Sequence, residues 1–516
     1  MSQVENGAQH PDATSTTASG RLARRALLGG ALAGGATVGA LFAPGAADAA
    51  AAGWRVFFVE HPGGSPDQSG IQAALAEARA AGGGHVVVGP GTWRIASAPL
   101  RIWANTRLTL TPATVLRRTG AVNAMLRNGD PAEQSTGYNG AGNIIVEGGV
   151  WDANADSVPT PGWAIVFAHA RNVTVRDLEI RDVAEWHAIE LNATADALVQ
   201  NCTFRGARAR PSAAWNQEAV SFDLAAPGLV PFGAADNTQC RGIRIVDNRC
   251  EGWPTFAGCH TGLATSGHQE VVISGNTVRD LTYWGVSLRN TSRAVVTGNT
   301  MHSVGGGVLV RCHDDPTARR SLTSVVIADN VIDTTTLDEG VRLTGANGGS
   351  AGDGQIWCTA VTGNVIRRTA RTGIAALWAP EVRISDNSIY VSGEHGIEAV
   401  NCSAAVVSGN LTRDAQRVGI AITGGEQQRI TDNSVLNAAR ATDQPWDAIQ
   451  LTGVTQGMVR GNKVASVSPA PRYAISADAA SSGLLCVDND LRTGYRDAAL
   501  HLAGSGHITS TTGNVG

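Results

Sequence analysis

Asparagine recurs at one position of a short apolar phrase along most of this chain. The phrases include VVISGN ending at Asn276, AVVTGN at Asn299 and VVIADN at Asn330, and the full series is Asn201, Asn248, Asn276, Asn299, Asn330, Asn364, Asn387, Asn410, Asn433, Asn462, Asn489 and Asn514. From Asn364 to Asn433 the spacing is 23 residues three times running. A repeat of this length predicts a solenoid, in which each coil buries its apolar face against its neighbours. We expect each Asn to adopt a left-handed bend and its amide to bond the next Asn.

A second strand precedes the Asn phrase in each coil. The aligned segments are HAIELN, EAVSFD, TGLATS, WGVSLR, GGVLVR and EGVRLT, in which an inward aliphatic residue alternates with an outward residue. Alternation of period two is typical of a strand. Short strands, many Gly and almost no helix signal predict an all-β fold, a single-stranded right-handed parallel β-helix.

One amphipathic helix is predicted before the coils, over residues 67–81. Asp67 is a plausible N-cap, Gly82 closes the helix, and the apolar face contains Ile71, Ala74, Leu75 and Ala78. Such a helix covers the strand edges of the first coil. We therefore divide the mature chain into a cap helix with first coils at 54–140 and a β-helix at 141–516, with a long insertion at 203–240.

Residues 1–49 have the features of an export signal. Arg24-Arg25 precede the apolar run from Ala26 to Phe42, and Ala47-Asp48-Ala49 offers a cleavage site. The paired arginines favour a twin-arginine-type signal over an ordinary Sec signal. A retained membrane anchor is disfavoured because the run is short and ends near Pro44. We expect a secreted, extracellular protein with no membrane association after cleavage.

Charge and cysteine content exclude some classes of protein. The net charge is −4 and no basic stretch accumulates, which argues against nucleic-acid binding. Eight cysteines are too few for a disulfide scaffold, although Cys240, Cys250 and Cys259 lie close enough in sequence for one bridge. No spacing suggests zinc, and we predict no metal or other cofactor.

Stacked strands turn the alignment into a surface map, because equivalent residues lie about 4.8 Å apart. One outward column reads Glu190, Ser221, Ala264, Ser287 and Leu309, and the column at the strand ends reads Asn192, Asp223, Ser266, Arg289 and Arg311. Glu190, Glu218 and Asp223 then lie on adjacent coils with carboxyl groups on the order of 6–9 Å apart, as in inverting glycosidases.

These columns predict a groove for a sugar chain, walled by the insertion. Glu218, Asp223 and Glu190 are the candidate acid and base groups, with His260 as a further catalytic candidate. The candidate substrate-binding residues are Arg289, Arg311, Asn192, Trp186, Trp215 and Trp284. The arginines suit an anionic group and the tryptophans suit a pyranose face. The alternative is a solvated rim of ordinary charged residues.

The chain resembles the pectate-lyase-like superfamily, in particular secreted proteins related to polygalacturonases (family 28 glycoside hydrolases) and phage tailspike hydrolases. The resemblance rests on the helix followed by HVVVGPGTWRI and on the repeated coils. Asn216-Gln217-Glu218 stands at the place of the family's Asn-Thr-Asp, His260 at its Gly-His-Gly and Arg289 near its Arg-Ile-Lys. The family's Asp-Asp pair is missing. The resemblance implies a β-helix that acts on polysaccharides.

Three functions remain open. The first is an inverting glycoside hydrolase that uses the paired carboxylates. The second is a polysaccharide lyase or uronan epimerase with Arg289 or Arg311 as base, for which the adjacent Asp314-Asp315 makes Ca²⁺ possible. Lys463, the only lysine, is too far along the chain to be the base. The third is a non-catalytic carbohydrate-binding solenoid. The partner in each case is a polysaccharide, and the sequence leaves monomer or trimer undecided.

Overall fold

Parallel strands stacked coil upon coil form the body of the structure. A computed structural model describes residues 54–515 except 65, 210–216, 264, 313–319, 346–353, 443–444, 468–469 and 511–513. The predicted export signal at 1–49 lies outside the described residues, as do Trp215, Asn216 and Asp314-Asp315. Each strand pairs in parallel with its equivalents in the coils before and after it. Parallel connections of this kind are right-handed, and the fold is the predicted right-handed parallel β-helix.

The first stack of strands carries the apolar phrase that precedes each Asn. Its members are β1 (Val56–Val59), β2 (Gly84–Val88), β5 (Thr106–Arg118), β7 (Ile144–Asp152), β9 (Arg171–Arg176), β12 (Ala195–Gln200), β15 (Arg241–Val246), β18 (Gln269–Ser274), β21 (Ser292–Thr297), β25 (Val325–Ala328), β29 (Ala360–Thr362), β32 (Arg383–Ser385), β35 (Val406–Ser408), β38 (Arg429–Thr431), β41 (Met458–Arg460), β44 (Leu485–Val487) and β46 (Ile508–Thr509).

The second stack follows the Asn in each coil, and the long strands β5 and β7 bend to belong to both stacks. Its other members are β3 (Gly91–Ile95), β10 (Glu179–Ala184), β13 (Thr203–Arg208), β16 (Arg249–Glu251), β19 (Thr277–Arg279), β22 (Thr300–Val304), β26 (Val331–Thr335), β30 (Val365–Thr369), β33 (Ser388–Ser392), β36 (Leu411–Arg413), β39 (Ser434–Leu436) and β42 (Lys463–Ala465).

The third stack, which we call the site sheet, contains the second strand predicted for each coil. It consists of β4 (Leu100–Ile102), β6 (Ala124–Asn128), β8 (Trp163–Ala168), β11 (Ile189–Asn192), β14 (Glu218–Asp223), β17 (Thr255–Gly258), β20 (Trp284–Arg289), β23 (Gly306–Arg311), β27 (Val341–Thr344), β31 (Ile374–Leu377), β34 (Ile397–Val400), β37 (Ile420–Thr423), β40 (Ile449–Thr452), β43 (Tyr473–Ala477) and β45 (Ala498–Leu502). A short pair, β24 (Leu322–Thr323) and β28 (Ile356–Trp357), lies outside these stacks.

The core is a column of aliphatic side chains that pack on their equivalents in the next coil. In the first stack Val199, Ile245, Ile273, Val296 and Ile327 pair in register, and each is at most 1% exposed. Each buried side chain of this size contributes roughly 1.5–3 kcal/mol relative to an exposed one. Because every coil has an apolar neighbour on both sides, this gain is repeated along the solenoid.

The predicted helix is present as α1 (Ser69–Ala80) beside β1, β2 and β4. Its predicted apolar face, formed by Ile71, Ala74, Leu75 and Ala78, is buried as expected. The N-cap is Gln68, not Asp67, because Asp67 lies one residue too early and its Oδ1 instead accepts the N–H of Ser69 at 3.0 Å. Among the described residues no helix is long and apolar enough to span a bilayer.

Amide groups of the Asn series bond one another through the interior of the solenoid. Oδ1 of Asn387 accepts both the backbone N–H of Asn364 at 3.0 Å and its Nδ2 at 2.9 Å. Asn387 Nδ2 in turn donates to Asn410 Oδ1 and to the carbonyl of Val361, both at 2.9 Å. Equivalent bonds join every pair from Asn248 to Asn514, which we call the Asn ladder.

Two details of the Asn prediction are wrong. Asn201 is not part of the ladder: its position is one residue early, and Cys202 donates its N–H to Asn248 Oδ1 at 2.9 Å instead. From Asn248 to Asn489 the left-handed residue is the one before each ladder Asn, as at Asp247 with φ of 57° and Asp386 with φ of 57°. Asn201 itself has φ of 51°, so it matches that preceding position. The ladder Asn is therefore selected for its buried amide.

The eight cysteines all lie in the described part of the chain and are free thiols. Cys240, Cys250 and Cys259 are fully or almost fully buried, but the bridge suggested by their spacing is not formed. Cys240 and Cys259 instead direct their sulfur atoms to backbone carbonyls at 3.2 Å. Seven of the eight are buried, which is typical of small residues in a core.

Removing one amide from the ladder should destabilise the solenoid. Asn387→Ala leaves the N–H and Nδ2 of Asn364 without their acceptor, and each buried unsatisfied group costs about 1–3 kcal/mol. We expect the free energy of unfolding to fall by about 2 kcal/mol or more, seen as a lower Tm in scanning calorimetry. Asn123→Ala, at an exposed Asn, is the control. Equal Tm values for the two variants would contradict a structural role for the ladder.

Candidate functional site

The register of the site sheet brings three carboxylates to neighbouring rungs. Strand β11 pairs with β14 so that Glu190 lies beside Ser221 and Asn192 beside Asp223. Glu218 begins β14 and pairs with Thr255 of β17. Glu190, Glu218 and Asp223 are 4%, 1% and 2% exposed. The predicted convergence is present, but these groups are enclosed instead of lining the solvent-open groove that we expected.

The alignment that placed TGLATS in the site sheet is wrong. The strand that follows β14 is β17 (Thr255–Gly258), and Gly258, not Ala264, stands between Ser221 and Ser287. The TGLATS segment follows that strand, and Leu263 makes only an isolated antiparallel bridge with Ser266. The small and apolar residues of this segment resemble a strand in sequence, but β17 already provides the site-sheet strand of this coil.

Because β17 is the true strand of this coil, His260 takes the position in the site-sheet column that we predicted for Ser266. Two residues beyond β17, its imidazole lies between two carboxylates: Nδ1 is 3.4 Å from Glu218 Oε2, and Nε2 is 3.1 Å from Asp223 Oδ2. Burial alone would lower the pKa of His260, but Asp223 and Glu218 raise it to about 10. His260 is therefore an imidazolium at neutral pH, and it offsets the charge of both carboxylates.

A second imidazole, His187, joins Glu218 to Glu190. His187 Nδ1 lies 3.1 Å from both the backbone nitrogen and the carbonyl oxygen of Glu218, so it accepts from the former or donates to the latter according to the tautomer. Nε2 faces Glu190 Oε2 at 3.6 Å, and Nδ1 is 3.3 Å from Glu218 Oε2. Burial lowers the pKa of His187 and keeps the ring neutral.

The environments of Glu190 and Glu218 move their pKa values in opposite directions. Burial, followed by the nearby charge of Asp223, raises the pKa of Glu190 to about 8. Burial would also raise the pKa of Glu218, but His260 and His187 together lower it below its ordinary value. At neutral pH the first is a carboxylic acid and the second a carboxylate. Such a pair has the protonation states of a general acid and a general base.

Asp223 is held in place by contacts on both of its oxygens. Oδ1 accepts the N–H of Thr261 at 2.9 Å, and Oδ2 faces the His260 ring. Behind it, His268 is fully buried with its ring edge-on to Phe222 at 5.3 Å, and burial lowers the pKa of His268 to about 4. A neutral His at this depth completes the floor of the site. Nothing in the local sequence distinguished it from a loop histidine.

Two of the predicted binding residues lie on the next rungs. Arg289 ends β20 and pairs with Arg311 at the end of β23. Burial lowers the pKa of Arg289. Burial, and then the positive charges of Arg289 and Arg342, lower the pKa of Arg311 to about 10. An arginine pair at rung spacing favours a site for an anionic group.

The remaining predicted binding residues have different environments. Asn192 is buried, and its Nδ2 donates to Glu190 Oε1 and to the carbonyl of Leu224, both at 3.3 Å. Trp186 is half-buried with its ring 4.1 Å from that of Trp163. Trp284 is 9% exposed and therefore has little ring surface to offer a sugar.

Within the described residues, one group of donors is spaced to hold a metal ion. His187, Glu218 and His260 each offer a donor atom within 4.8 Å of the others. Two imidazoles and one carboxylate do not suit Ca²⁺, which takes six to eight oxygen ligands. The Ca²⁺ suggested for a lyase was placed at Asp314-Asp315, which lie outside the described residues.

Further along the site sheet, Glu394 and His395 occupy a separate polar patch. Glu394 forms ion pairs with Arg371 at 3.6 Å and Arg417 at 3.3 Å. His395 packs edge-on against Trp446, with ring centres 5.9 Å apart. Glu394 and His395 thus provide a carboxylate and an imidazole that lie just before β34 of the same sheet and are separate from the site.

Comparisons with known proteins agree with the fold. A family profile described as a right-handed beta helix region matches residues 329–447. No curated protein sequence matches the chain. The surface protein and adhesin PfbA of Streptococcus pneumoniae is similar in structure, with a TM-score of 0.55 and 18% identity over 70% of this chain and 93% of that one.

A tailspike protein has a structural similarity to this chain comparable to that of PfbA. A double mutant of the tailspike of E. coli bacteriophage HK620 has a TM-score of 0.54 at 12% identity, covering 86% of this chain and 76% of that one. A mutant of this tailspike in complex with a hexasaccharide has a TM-score of 0.51 at 13% identity, with the same coverage. These similarities confirm the predicted right-handed parallel β-helix fold.

The protonation state of His260 is directly measurable. NMR of protein labelled at histidine should show His260 titrating near pH 10, because two carboxylates hold its proton. Asp223→Asn removes one of these charges and should move the midpoint downward. A wild-type midpoint at or below about 6.5, the ordinary value for histidine, would contradict the proposed charge arrangement.

Proposed function

We propose that this chain is a secreted glycoside hydrolase that cleaves a polysaccharide by inversion, with Glu190 as general acid and Glu218 as general base. The observation that carries the proposal is the convergence of both groups on the two nitrogen atoms of His187. Inverting glycosidases hold their two carboxyl groups about 6.5–9.5 Å apart, so that a water molecule fits beside the sugar. Two carboxyl groups that contact opposite nitrogen atoms of one imidazole ring are held apart by that ring, which favours the inverting arrangement over the closer retaining one.

Each remaining group then has a defined role. Glu190 protonates the leaving glycosidic oxygen, and Glu218 takes a proton from the attacking water. His260 and Asp223 are positioning residues, because the imidazolium contacts Glu218 while Asp223 fixes the ring from its other nitrogen. Arg289 and Arg311 offer two adjacent guanidinium groups to an anionic sugar. Glu190 and Glu218 are both almost fully buried, so the substrate must displace part of the cover to reach them.

The fold comparisons are consistent with a hydrolase but do not indicate which reaction the chain catalyses. A tailspike with the same fold is known in complex with a hexasaccharide, which supports a carbohydrate partner for this chain. The predicted export signal supports action outside the cell. The missing Asp-Asp pair separates this site from that of the polygalacturonases that the chain resembles, so we leave the sugar open.

A lyase with an arginine base is the second candidate. The observation that favours it is Arg311, whose pKa is lowered to about 10 by burial and by Arg289 and Arg342. A base of this kind removes the proton beside a uronate carboxylate. The product then contains a carbon–carbon double bond that absorbs ultraviolet light.

One experiment separates these functions. The mature protein is incubated with a panel of neutral and uronate-containing polysaccharides while reducing ends and ultraviolet absorbance are followed together. Hydrolysis produces reducing ends without absorbance, whereas elimination produces both. Binding without either signal would indicate a non-catalytic solenoid or an epimerase, and would overturn the proposal.

Substitution of the acid and the base should abolish hydrolysis. Glu190→Gln and Glu218→Gln keep the side-chain shape but cannot transfer the proton, and we expect each to lower kcat by about 10²–10⁴-fold. Glu394→Gln, a carboxylate change on the same sheet but away from the site, is the matched control. Full activity in either site variant, with unchanged Tm, would reject its assigned role.

The pH dependence of kcat/KM should report the pKa of the general acid, Glu190. Glu190 must be protonated to act, and its pKa is raised to about 8, so kcat/KM should fall as the pH rises through about 8. The base Glu218 has a lowered pKa and stays ionised below neutral pH, which leaves a plateau on the acid side. A rate that continues to rise above pH 8 would contradict Glu190 as the acid and favour a base of high pKa.

A further inference from the structure

We propose that His187, Glu218 and His260 form a binding site for a divalent transition-metal ion of the Zn²⁺ type. The inference does not depend on the proposed hydrolysis. It begins from the spacing of the donor atoms: Glu218 Oε2 is 3.3 Å from His187 Nδ1 and 3.4 Å from His260 Nδ1. Two ligand atoms about 2.0–2.2 Å from a tetrahedral Zn²⁺ lie roughly 3.3–3.6 Å apart. Glu218 therefore has this spacing to each histidine, and all three donor atoms lie within 4.8 Å of one another.

Two of the three donors that face this point lack a well-oriented hydrogen bond. Glu218 is 1% exposed, yet neither of its carboxylate oxygens has a hydrogen-bond partner of acceptable geometry among the described residues. The same holds for Nδ1 of His260, whose proton would be released when the metal binds. A buried carboxylate needs a compensating positive charge, and the ion would take over this role from the His260 imidazolium. A bound cation would contact all of these atoms directly.

The far side of each imidazole carries a second carboxylate. Asp223 Oδ2 lies 3.1 Å from Nε2 of His260, and Glu190 Oε2 lies 3.6 Å from Nε2 of His187. Metal-binding histidines usually donate their other ring N–H to a carboxylate, which orients the ring and makes the metal-facing nitrogen a better ligand. His260 has this arrangement, whereas Glu190 faces His187 from just beyond hydrogen-bond distance.

The chemistry of the donors selects the class of ion. Imidazole nitrogens with a carboxylate suit Zn²⁺, Co²⁺ or Ni²⁺, whereas Ca²⁺ and Mg²⁺ require mainly oxygen ligands. His187 should be the weakest ligand, because the backbone of Glu218 already occupies its Nδ1 at 3.1 Å and must be displaced. His260 and Glu218 should therefore contribute most of the affinity.

A bound ion has a consequence for catalysis under the proposed function. It would occupy the Glu218 carboxylate, and Glu218 could not then accept a proton from water. Hydrolysis should fall in proportion to metal occupancy. Because binding is measured separately from activity, a failure of the hydrolase proposal leaves this inference testable.

The test is titration of chelator-treated, desalted full-length mature protein with ZnCl₂ by isothermal calorimetry. We expect one Zn²⁺ per chain and no comparable heat from CaCl₂. CoCl₂ should give visible absorption bands typical of four- or five-coordinate Co²⁺. Glu218→Gln and His260→Gln should each weaken Zn²⁺ binding by about tenfold or more, and Asp223→Asn by about 10–100-fold through loss of the outer carboxylate.

Matched controls come from the separate polar patch. Glu394→Gln and His395→Gln change the same residue types on the same sheet and should leave the Zn²⁺ affinity unchanged. The Tm of each variant is measured in parallel. If His260→Gln does not fold, Glu218→Gln and His187→Gln decide the question. Absence of stoichiometric Zn²⁺ binding to the wild type, or equal affinity in the site and control variants, would overturn the proposal.

Discussion

In-register backbone hydrogen bonding between successive coils is the constraint on which the rest of this structure depends. Parallel pairing fixes adjacent strands about 4.8 Å apart and places equivalent residues side by side. Any two residues at equivalent positions must therefore tolerate direct contact. For aliphatic residues and for the Asn amides this contact stabilises the fold. Charged residues in direct contact need an opposite charge nearby or must be neutralised by a proton. This requirement applies to Glu190, Glu218 and Asp223, which the fold brings together.

The site shows how that compensation is achieved in a buried setting. Burial of an ionised carboxylate is unfavourable unless a counter-charge lies close by. Glu190 avoids the cost by keeping its proton, whereas Glu218 and Asp223 share the His260 imidazolium between them. Protonation is thus distributed unevenly among three carboxyl groups that the backbone forces together. Because the carboxyl groups differ in protonation state, one of them can donate a proton while another accepts one.

Much of the fold could be predicted from the sequence because its signals are local and repeated. The Asn spacing and the alternating strands indicated the coils, and Glu190 and Asp223 were placed on the correct adjacent rungs. The errors at Asn201 and TGLATS arose where one residue or one strand-like phrase satisfied the local pattern equally well. Only the contact between coils decides such cases: Cys202 bonds Asn248, and Gly258 pairs with Ser287. Burial, and with it the pKa of Glu190, also depends on packing that no local pattern records.

The position of His260 follows from the irregular length of one coil. From β17 to β20 the register advances by 29 residues, against 22 from β20 to β23, and the extra chain lies between β17 and β18, where His260 stands. That extra length lets a residue outside the strand take a place in the site-sheet column without breaking the stack. A strictly regular solenoid would have put a strand residue there, with its orientation fixed by the pleat. The place of the His260 imidazole in the site therefore depends on a departure from the regular coil length. The Asn ladder, on another edge of the coil, keeps the following coils in register.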